Sequence, residues 1–254
     1  MDLLVTNDDG YESPGLHALA DRLAVDHAVT VVAPLEDHSS MGRVRSDEFE
    51  IHRRKRGYAV AGTPVDCVIA AVSALDLAPD AIVAGCNIGG NLGAHTLGRS
   101  ATIGAVIEGT FLDLPGIAVS LCVPEEKWPM KPNSVDFEVG AEAAAFLVEH
   151  LETAVGSDPP GYLNVNLPIS THSSPPMVLT RPSGRYPLTT RRSGDRVTVS
   201  DRSWEEFGTA PPDEPMDTDR GAVQRGFVSV SALLRTHGVR STPDLRTALS
   251  RFDP

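Results

Sequence analysis

The sequence predicts an α/β protein with a doubly wound, mostly parallel, Rossmann-like sheet and a C-terminal extension rich in β-hairpins. Three observations indicate this fold class. Short, continuous apolar runs recur through the first two thirds of the chain, as is typical of parallel strands covered on both faces. Helical patterns separate these runs, so strands and helices alternate as in βαβ units. Polar or glycine-rich segments follow the strands, where open α/β sheets bind their ligands.

The first βαβ unit is the clearest part of the pattern. Residues 2–6 read as a buried strand, and residues 29–33 form a second apolar run. Between them Ser13 is a suitable N-cap and Pro14 suits the first turn of a helix that ends near residue 26. The spacing therefore predicts strand, helix and strand in direct succession.

The same alternation continues along the chain. We predict further strands at residues 80–84, 116–121 and 162–167, and further helices at residues 65–75, 103–112 and 135–151. Residues 48–61 are expected to form a hairpin whose turn carries the basic run Arg53-Arg54-Lys55-Arg56 at the surface. A nucleic-acid-binding patch is the alternative interpretation of that run.

The character of the sequence changes after residue 157, and we place a boundary there between a core of residues 1–157 and an extension of residues 158–254. The extension contains proline- and serine-rich turns. We place its β-like runs at residues 177–181, 196–201 and 226–232, a polar stretch at residues 207–219 and a closing helix at residues 244–252. Its apolar periodicity is too weak for an independent core. We therefore expect it to complete the core and to form the contacts of a homodimer or homotetramer.

Composition limits the possible partners. The chain has 254 residues and a formal net charge of −12, which disfavours duplex nucleic acid. It contains only three lysines, and its acidic residues outnumber its basic ones. This composition is consistent with a protein of a salt-rich cytoplasm and equally with one encoded by a GC-rich genome. Its three widely spaced cysteines indicate reduced thiols. We find no signal segment and no stretch of membrane-span length, so we expect a cytoplasmic protein without a membrane partner.

The acidic segment Asn7-Asp8-Asp9-Gly10 lies where the first strand must end. Neighbouring strand residues point to opposite faces, so Asp8 and Asp9 can converge only if the backbone turns, which Gly10 allows. Two converging carboxylates need a cation between them, and hard oxygen ligands suit Mg²⁺ or Mn²⁺. A solvated acidic turn is the alternative, but the position at a strand end favours a metal site.

Two further loops and one helix start are expected at the same edge of the sheet. Residues 35–41 follow the second strand, so Ser39 or Ser40 could reach the acidic segment. Residues 85–93 contain four glycines after the 80–84 run, and their amides could approach a phosphate, although a flexible loop explains them as well. Ser100 opens the next helix, whose N-terminus favours anions.

These motifs resemble, in type and order, those of the SurE survival-protein family of nucleotide phosphatases. The matching segments are Leu4-Val5-Thr6-Asn7-Asp8-Asp9-Gly10, Val31-Val32-Ala33-Pro34 with Ser39, Gly62-Thr63-Pro64-Val65-Asp66-Cys67-Val68, Gly85-Cys86-Asn87-Ile88-Gly89-Gly90-Asn91-Leu92-Gly93, Ser100-Ala101-Thr102, Leu163-Asn164-Val165-Asn166-Leu167-Pro168, and Thr218-Asp219 followed by Gly226-Phe227-Val228-Ser229-Val230. The resemblance covers nearly the whole chain.

The resemblance implies a metal-dependent phosphomonoesterase, a 5'-nucleotidase that releases phosphate from nucleoside monophosphates by means of metal-activated water. It implies one Mg²⁺ or Mn²⁺ per subunit and dimers or tetramers. The metal ligands would be Asp8, Asp9, Ser39 and Asn87, of which Asp8, Asp9 and Asn87 would also be catalytic. The phosphate- and substrate-binding residues would be Asn7, Ser40, Gly89, Asn91, Ser100 and Thr102. Arg99 stands where the family usually has an aromatic residue, and its charge could meet a phosphate.

Two questions about mechanism stay open at this point. His38 or His95 could act as a general acid, although a lone histidine in a loop is more often solvated. Asp8 or Asp9 could instead be a nucleophile that forms an aspartyl-phosphate. A metal-dependent regulatory module that binds nucleotides without turnover, such as an acidic-pocket receiver domain, is the alternative outside the enzymes.

Overall fold

The computed structural model describes residues 1–123, 134–168, 175–201 and 214–235. Its strands are β1 (Asp2–Thr6), β2 (Ala28–Pro34), β3 (Ile51–Arg54), β4 (Gly57–Val60), β5 (Ala81–Ile88), β6 (Gly116–Cys122), β7 (Tyr162–Pro168), β8 (Met177–Leu179), β9 (Leu188–Ser193), β10 (Arg196–Asp201) and β11 (Val228–Leu233). Its helices are α1 (Pro14–Leu23), α2 (Pro64–Ile69), α3 (Ala94–Leu97), α4 (Ala101–Phe111), α5 (Ser134–Val148), α6 (Leu151–Val155) and α7 (Asp219–Gln224), and a π-helical turn (Ala70–Ala74) extends α2.

A nine-stranded sheet in the order β3-β4-β2-β1-β5-β6-β7-β11-β8 forms the centre of the fold. Strand β1 pairs in parallel with β2 and β5, and the parallel arrangement continues through β6 to β7. Within the described ranges, the antiparallel pairs of this sheet are β3 with β4 and β11 with β7. The predicted fold class, an α/β protein with a mostly parallel sheet, is confirmed.

Helices cover both faces of the sheet, and β1 shows why its sequence is apolar throughout. Leu3 and Val5 belong to the core cluster that includes residues of α1 and α5, whereas Leu4 belongs to the cluster that includes residues of α2 and α4. Alternate residues of a strand point to opposite faces, so a strand covered on both sides needs an apolar residue at every position. The central strands are thereby held rigidly, and their carboxyl ends are fixed in space.

Several elements differ from the prediction. Strand β5 continues to Ile88 instead of ending at residue 84, after a register shift between Ala84 and Asn87 against β6. The prediction lacked α3, α7 and β9. The expected β3–β4 hairpin is present; Lys55 and Arg56 of the basic run form its turn, whereas Arg53 and Arg54 belong to β3. The proposed closing helix at 244–252 and most of the polar stretch at 207–219 lie outside the described residues.

Residues on both sides of position 157 build the same sheet, because β7, β8 and β11 follow that position. The two-stranded β9–β10 hairpin is separate from it. Across the described ranges, no helix combines the length and apolar character required to cross a membrane. Cys67, Cys86 and Cys122 are free and buried, and burial raises the pKa of each thiol.

Candidate metal and phosphate site

The carboxyl ends of β1, β2 and β5, which are neighbours in the sheet, lead into one cavity of about 490 Å³. Its described lining residues are Asp8, Ser39, Ser40, Asn87, Ile88, Gly89, Gly90, Asn91, His95, Thr96, Arg99, Ser100 and Val123. The structure thus brings together residues of all the loops that the sequence predicts. Of the predicted site residues, Asn7, Asp9 and Thr102 are not among those that line the cavity.

Asp8 ends the β1 segment as a buried carboxylate with only 3% of its surface exposed. The hydroxyl of Thr102 donates to its Oδ1 atom at 2.7 Å, and the amide of His38 donates to its backbone carbonyl at 2.8 Å. Burial raises the pKa of Asp8, and the hydrogen bond from Thr102 opposes that shift. One loop and one helix therefore fix the position of this carboxylate.

Asp9 is the more unusual of the two carboxylates. Within the described part of the chain, its Oδ2 atom is buried and has no hydrogen-bond partner. Burial, together with the negative charges of Asp8 and Asp37, raises the pKa of Asp9 to about 7, and a hydrogen bond from the Ile88 backbone opposes part of that shift. This carboxyl group lacks a compensating positive charge.

A divalent cation fits this donor set, because it would supply the charge that Asp8 and Asp9 lack and a partner for the buried oxygen. Across the described ranges, no group of three or more His, Cys, Asp or Glu side chains is placed to hold a metal. The remaining ligands of a cation at Asp8 and Asp9 would therefore have to be neutral oxygens.

Asn87 and Ser39 can supply such oxygens. The side-chain amide of Asn87 donates to the carbonyl of Gly89 at 2.6 Å, so its oxygen is the atom that can meet a cation. Ser39 is exposed, and both its amide and its hydroxyl donate to Asp37 Oδ1, at 2.8 and 2.5 Å. A hydroxyl that donates keeps its acceptor lone pairs. The adjacent Ser40 is also exposed, with a φ of 62°.

Asn91, near the end of the glycine-rich segment, belongs to a network of buried polar side chains. Its backbone amide donates to Asn166 Oδ1 at 2.7 Å, and its carbonyl accepts from Asn164 at 2.9 Å. Its side-chain NH₂ group donates to the Ser120 hydroxyl at 2.8 Å. The amide that was predicted to bind phosphate thus has an acceptor inside the fold, and its phosphate-binding role stays a prediction.

Two other predicted phosphate ligands also have structural partners. Thr102 is fully buried and bonds to Asp8, and Asn7 donates to the carbonyl of Gly10 at 3.0 Å across the acidic turn. Ser100 caps α4, since its hydroxyl accepts from the amide of Ile103 at 3.1 Å. Because Ser100 lines the cavity, the amino end of α4 opens toward an anion held there.

Comparison with known proteins agrees with this geometry. The model of the family described as "Survival protein SurE" matches residues 3–187. The chain belongs to the SurE family. It is 41% identical to "5'-nucleotidase SurE" of Haloarcula marismortui over 256 residues, which cover 99% of this chain and 95% of the relative. It is 44% identical to a protein of the same name from Halobacterium salinarum over 237 residues, which cover 93% of this chain and 92% of the relative.

A solved structure of the SurE family has the same fold. The crystal structure of the SurE protein from Aquifex aeolicus superposes with a TM-score of 0.77 and 29% sequence identity, over 99% of this chain and 98% of that one. The resemblance seen in the sequence is therefore confirmed, and with it the membership in a family whose curated relatives are named 5'-nucleotidases.

Of the two histidines named from the sequence, only His95 is among the described residues that line the cavity, and it packs against an aromatic residue that was not named. His95 lines the cavity, and its ring stacks on that of Tyr186 with centroids 4.2 Å apart and planes 24° apart. Arg99 Nη1 donates to the Tyr186 hydroxyl at 2.8 Å. His38 is not among the described lining residues, and its Nδ1 atom lies 3.2 Å from Met41 Sδ.

Sequence reasoning also missed two carboxylates that shape the site. Asp37 holds Ser39 and raises the pKa of Asp9, and it stands in the polar loop that the sequence had placed at this edge. Asp219 is buried and accepts from the backbone amides of Gly93 at 2.7 Å and Ser183 at 2.9 Å. Burial raises the pKa of Asp219, and these backbone hydrogen bonds oppose the shift. The Thr218-Asp219 motif was the available signal.

Proposed function

We propose that this SurE-family protein is a divalent-metal-dependent phosphomonoesterase that hydrolyses nucleoside monophosphates to nucleoside and phosphate. The observation that carries the proposal is the Asp8–Asp9 pair, in which Asp8 is buried and the buried Oδ2 atom of Asp9 has no partner among the described residues, beside a cavity whose lining includes Ser100 at the amino end of α4. This arrangement offers a cation site and an anion site side by side. The names of the curated relatives support a nucleotide as the phosphate ester.

Asp8, Asp9, Ser39 and Asn87 would hold one Mg²⁺ or Mn²⁺. When bound, such an ion supplies Lewis-acid stabilisation of the phosphoryl group and lowers the pKa of water. Thr102 keeps the Asp8 carboxylate in place through its hydrogen bond. The amides at the start of α4 and around Gly89 would bind the non-bridging phosphate oxygens.

The nucleoside leaves as an alkoxide that must gain a proton. His95 lines the cavity, whereas His38 is not among its described lining residues, so we assign the general acid to His95. Its stacking against Tyr186 would hold the imidazole at the rim, where the leaving group exits. We expect His95→Gln to lower kcat by about 10²-fold, the low end of the contribution of general acid–base catalysis elsewhere.

The proposed function is tested by release of phosphate from AMP in the presence of Mn²⁺, against a control with EDTA. Asp8→Asn and Asp9→Asn should each abolish metal-dependent release, because the cation loses a charged ligand. Asp76→Asn is the matched control, since Asp76 is exposed and lies after the π-helical turn. Full activity of both site variants would remove the metal site from this loop.

The same assay separates the alternatives. Binding of Mn²⁺ and AMP to the wild-type protein without release of phosphate would favour a regulatory module. Trapping of a phosphorylated chain by borohydride reduction at Asp8 or Asp9 would establish an aspartyl-phosphate route instead. Steady release without a trapped intermediate is the result that we expect.

A further inference from the structure

Arg99 places a positive charge in the lining of a cavity that also contains the acidic residue Asp8. Among the described residues that line the cavity it is the one lysine or arginine, while Asp8 lies in the same lining. The chain as a whole carries a formal net charge of −12. The net charge therefore disfavours the approach of an anionic substrate, and Arg99 opposes this repulsion at the cavity.

Among the described residues, the charge of Arg99 is oriented by a neutral side chain and is not paired with a carboxylate. Its Nη1 atom donates to the Tyr186 hydroxyl, and its Cζ atom lies 5.3 Å from the centroid of the Tyr186 ring. Both contacts are to a neutral side chain, which holds a guanidinium without cancelling its charge. Many other arginines in the described ranges bond to a carboxylate, such as Arg22, Arg43, Arg56, Arg181 and Arg235. A guanidinium that lacks such a partner at a cavity is suited to an incoming anion.

Arg99 lies next to the start of α4 in the chain, so its charge and the amino end of α4 would meet the same bound anion. It immediately precedes Ser100, the N-cap of α4, and Thr102 of that helix bonds to Asp8. Arg99, Ser100 at the helix start and Asp8 are thus parts of the lining of one cavity. Tyr186 is in turn held by stacking on His95, so the orientation of Arg99 is supported by a second ring.

We infer that Arg99 is a specificity-determining residue that binds the phosphate of the substrate and selects dianionic phosphomonoesters over monoanionic esters. The inference rests on the proposed phosphomonoesterase function. A guanidinium presents paired donors that match two phosphate oxygens, and each added negative charge on those oxygens strengthens the contact. Tyr186 acts as a positioning residue, since it reaches the phosphate only through Arg99.

The test compares Arg99→Gln with the wild-type protein in two measurements. With AMP and Mn²⁺ we expect KM to rise by about tenfold with kcat changed by less than about twofold, because a ground-state contact is lost. Calorimetric titration of inorganic phosphate at saturating Mn²⁺ should show an affinity that is weaker by about the same factor. Arg99→Lys should restore part of the loss, since it keeps the charge but not the paired donors.

Arg54→Gln is the matched control, because it removes the same charge from the exposed β3–β4 hairpin. It should leave KM and phosphate affinity unchanged. Tyr186→Phe keeps the ring but removes the hydroxyl acceptor, and we expect it to raise KM by about twofold to threefold. Its effect should disappear when Arg99 is already glutamine, which a purely structural role of Tyr186 would not produce.

Unchanged KM and unchanged phosphate affinity in Arg99→Gln would overturn the inference, as would a loss of kcat alone. An equal loss in Arg54→Gln would also overturn it, since the effect would then reflect overall charge. If the wild-type protein released no phosphate from AMP, the proposed function would fail, and the calorimetric titration would still decide whether Arg99 binds the anion.

Discussion

Thr102 lies where helix α4 meets the acidic turn, and its fully buried hydroxyl donates to Asp8. If Asp8 binds a metal as proposed, Thr102 would control that ligand without touching the metal, because it fixes the orientation of the carboxylate. A threonine two positions after a helix N-cap has no special pattern in the sequence. The contact between Thr102 and Asp8 spans 94 residues of the chain, and the phosphate-binding role predicted for Thr102 from the sequence stays a prediction.

We expect Thr102→Val to lower Mn²⁺ affinity by about tenfold, the low end of the effect of such supporting hydrogen bonds. Valine keeps the shape of threonine but cannot donate to Asp8. Thr102→Ser retains the hydroxyl and should restore most of the affinity. Calorimetric titration with Mn²⁺ measures this effect, and equal affinities of the valine and serine variants would show that the hydrogen bond is unimportant.

Asp9 predicts a pH dependence of stability in the metal-free protein. Its pKa is about 7 in the folded state against 3.8 for the free side chain. Between these values the folded protein retains a proton that the unfolded chain releases, so stability falls as pH rises through this window. Above pH 7 the buried negative charge remains as a full penalty, which we place on the order of 2 kcal/mol after allowance for its partial exposure.

Asp9→Asn removes the penalty. In EDTA, the variant should therefore melt at a higher temperature than the wild-type protein, by a larger margin at pH 8 than at pH 5. Addition of Mn²⁺ should then stabilise the wild-type protein more than the variant. A margin that is the same at both pH values would contradict the assigned pKa.

At the scale of whole elements, the apolar strands were predictable because burial on both faces leaves a continuous run. The end of β5 was not predictable. Gly85 to Ile88 look like a loop, yet after the register shift they pair again with β6, which brings Asn87 opposite Ser120. Helix α7 was missed because it has six residues and a polar start, and β9 because every one of its residues is exposed.

Residues 85–93 have the composition of a flexible loop, yet hydrogen bonds from a distant strand hold them in place. Asn164 and Asn166 bond to Asn91 from strand β7, across 73 and 75 residues. No local sequence pattern predicts a hydrogen-bond partner at that separation. The sequence could therefore indicate which segments meet at the site, but not which polar atoms face inward to support it.

Close packing between α1 and β5 predicts a sensitive glycine. A Cβ atom on Gly15 would lie 2.3 Å from the carbonyl oxygen of Cys86 and 2.9 Å from the Phe137 ring. We expect Gly15→Ala to destabilise the protein by about 1–3 kcal/mol, as overpacking of a core usually does. The measurement is urea-induced unfolding.

Gly98→Ala is the control, because a Cβ there would meet no atom within 4 Å and the φ of −82° suits alanine. It should leave the unfolding midpoint nearly unchanged. If Gly15→Ala were equally neutral, α1 would be able to move away from β5 without cost.

On the scale of the molecule, the β9–β10 hairpin is the feature that a single chain does not explain. Its strands pair with each other and not with the nine-stranded sheet. Leu188, Val197 and Val199 are 42%, 60% and 59% exposed on it. Exposed apolar side chains on a projecting hairpin are typical of a surface that another subunit covers.

We therefore predict a homodimer or homotetramer at micromolar concentration, measured by light scattering after size-exclusion chromatography. Val197→Asp should shift the mass toward the monomer, because a charge cannot be buried cheaply in an apolar contact. Val25→Asp, at a valine that is 72% exposed after α1, is the control and should leave the mass unchanged. A monomeric wild-type protein would refute the prediction.

The bond from Gly93 to Asp219 spans 126 positions of the chain and has a consequence for synthesis on the ribosome. By the time β1, β2, β5 and α4 have emerged, the acidic turn can already be in place, since its contacts, including the one from Thr102, lie in the first half of the chain. The segment after Asn91 must wait for strand β7 and then for residue 219 before it has all its anchors. A nascent or C-terminally clipped chain thus has its two carboxylates before the rest of the cavity lining is anchored, so the candidate cavity is among the last parts of the molecule to mature.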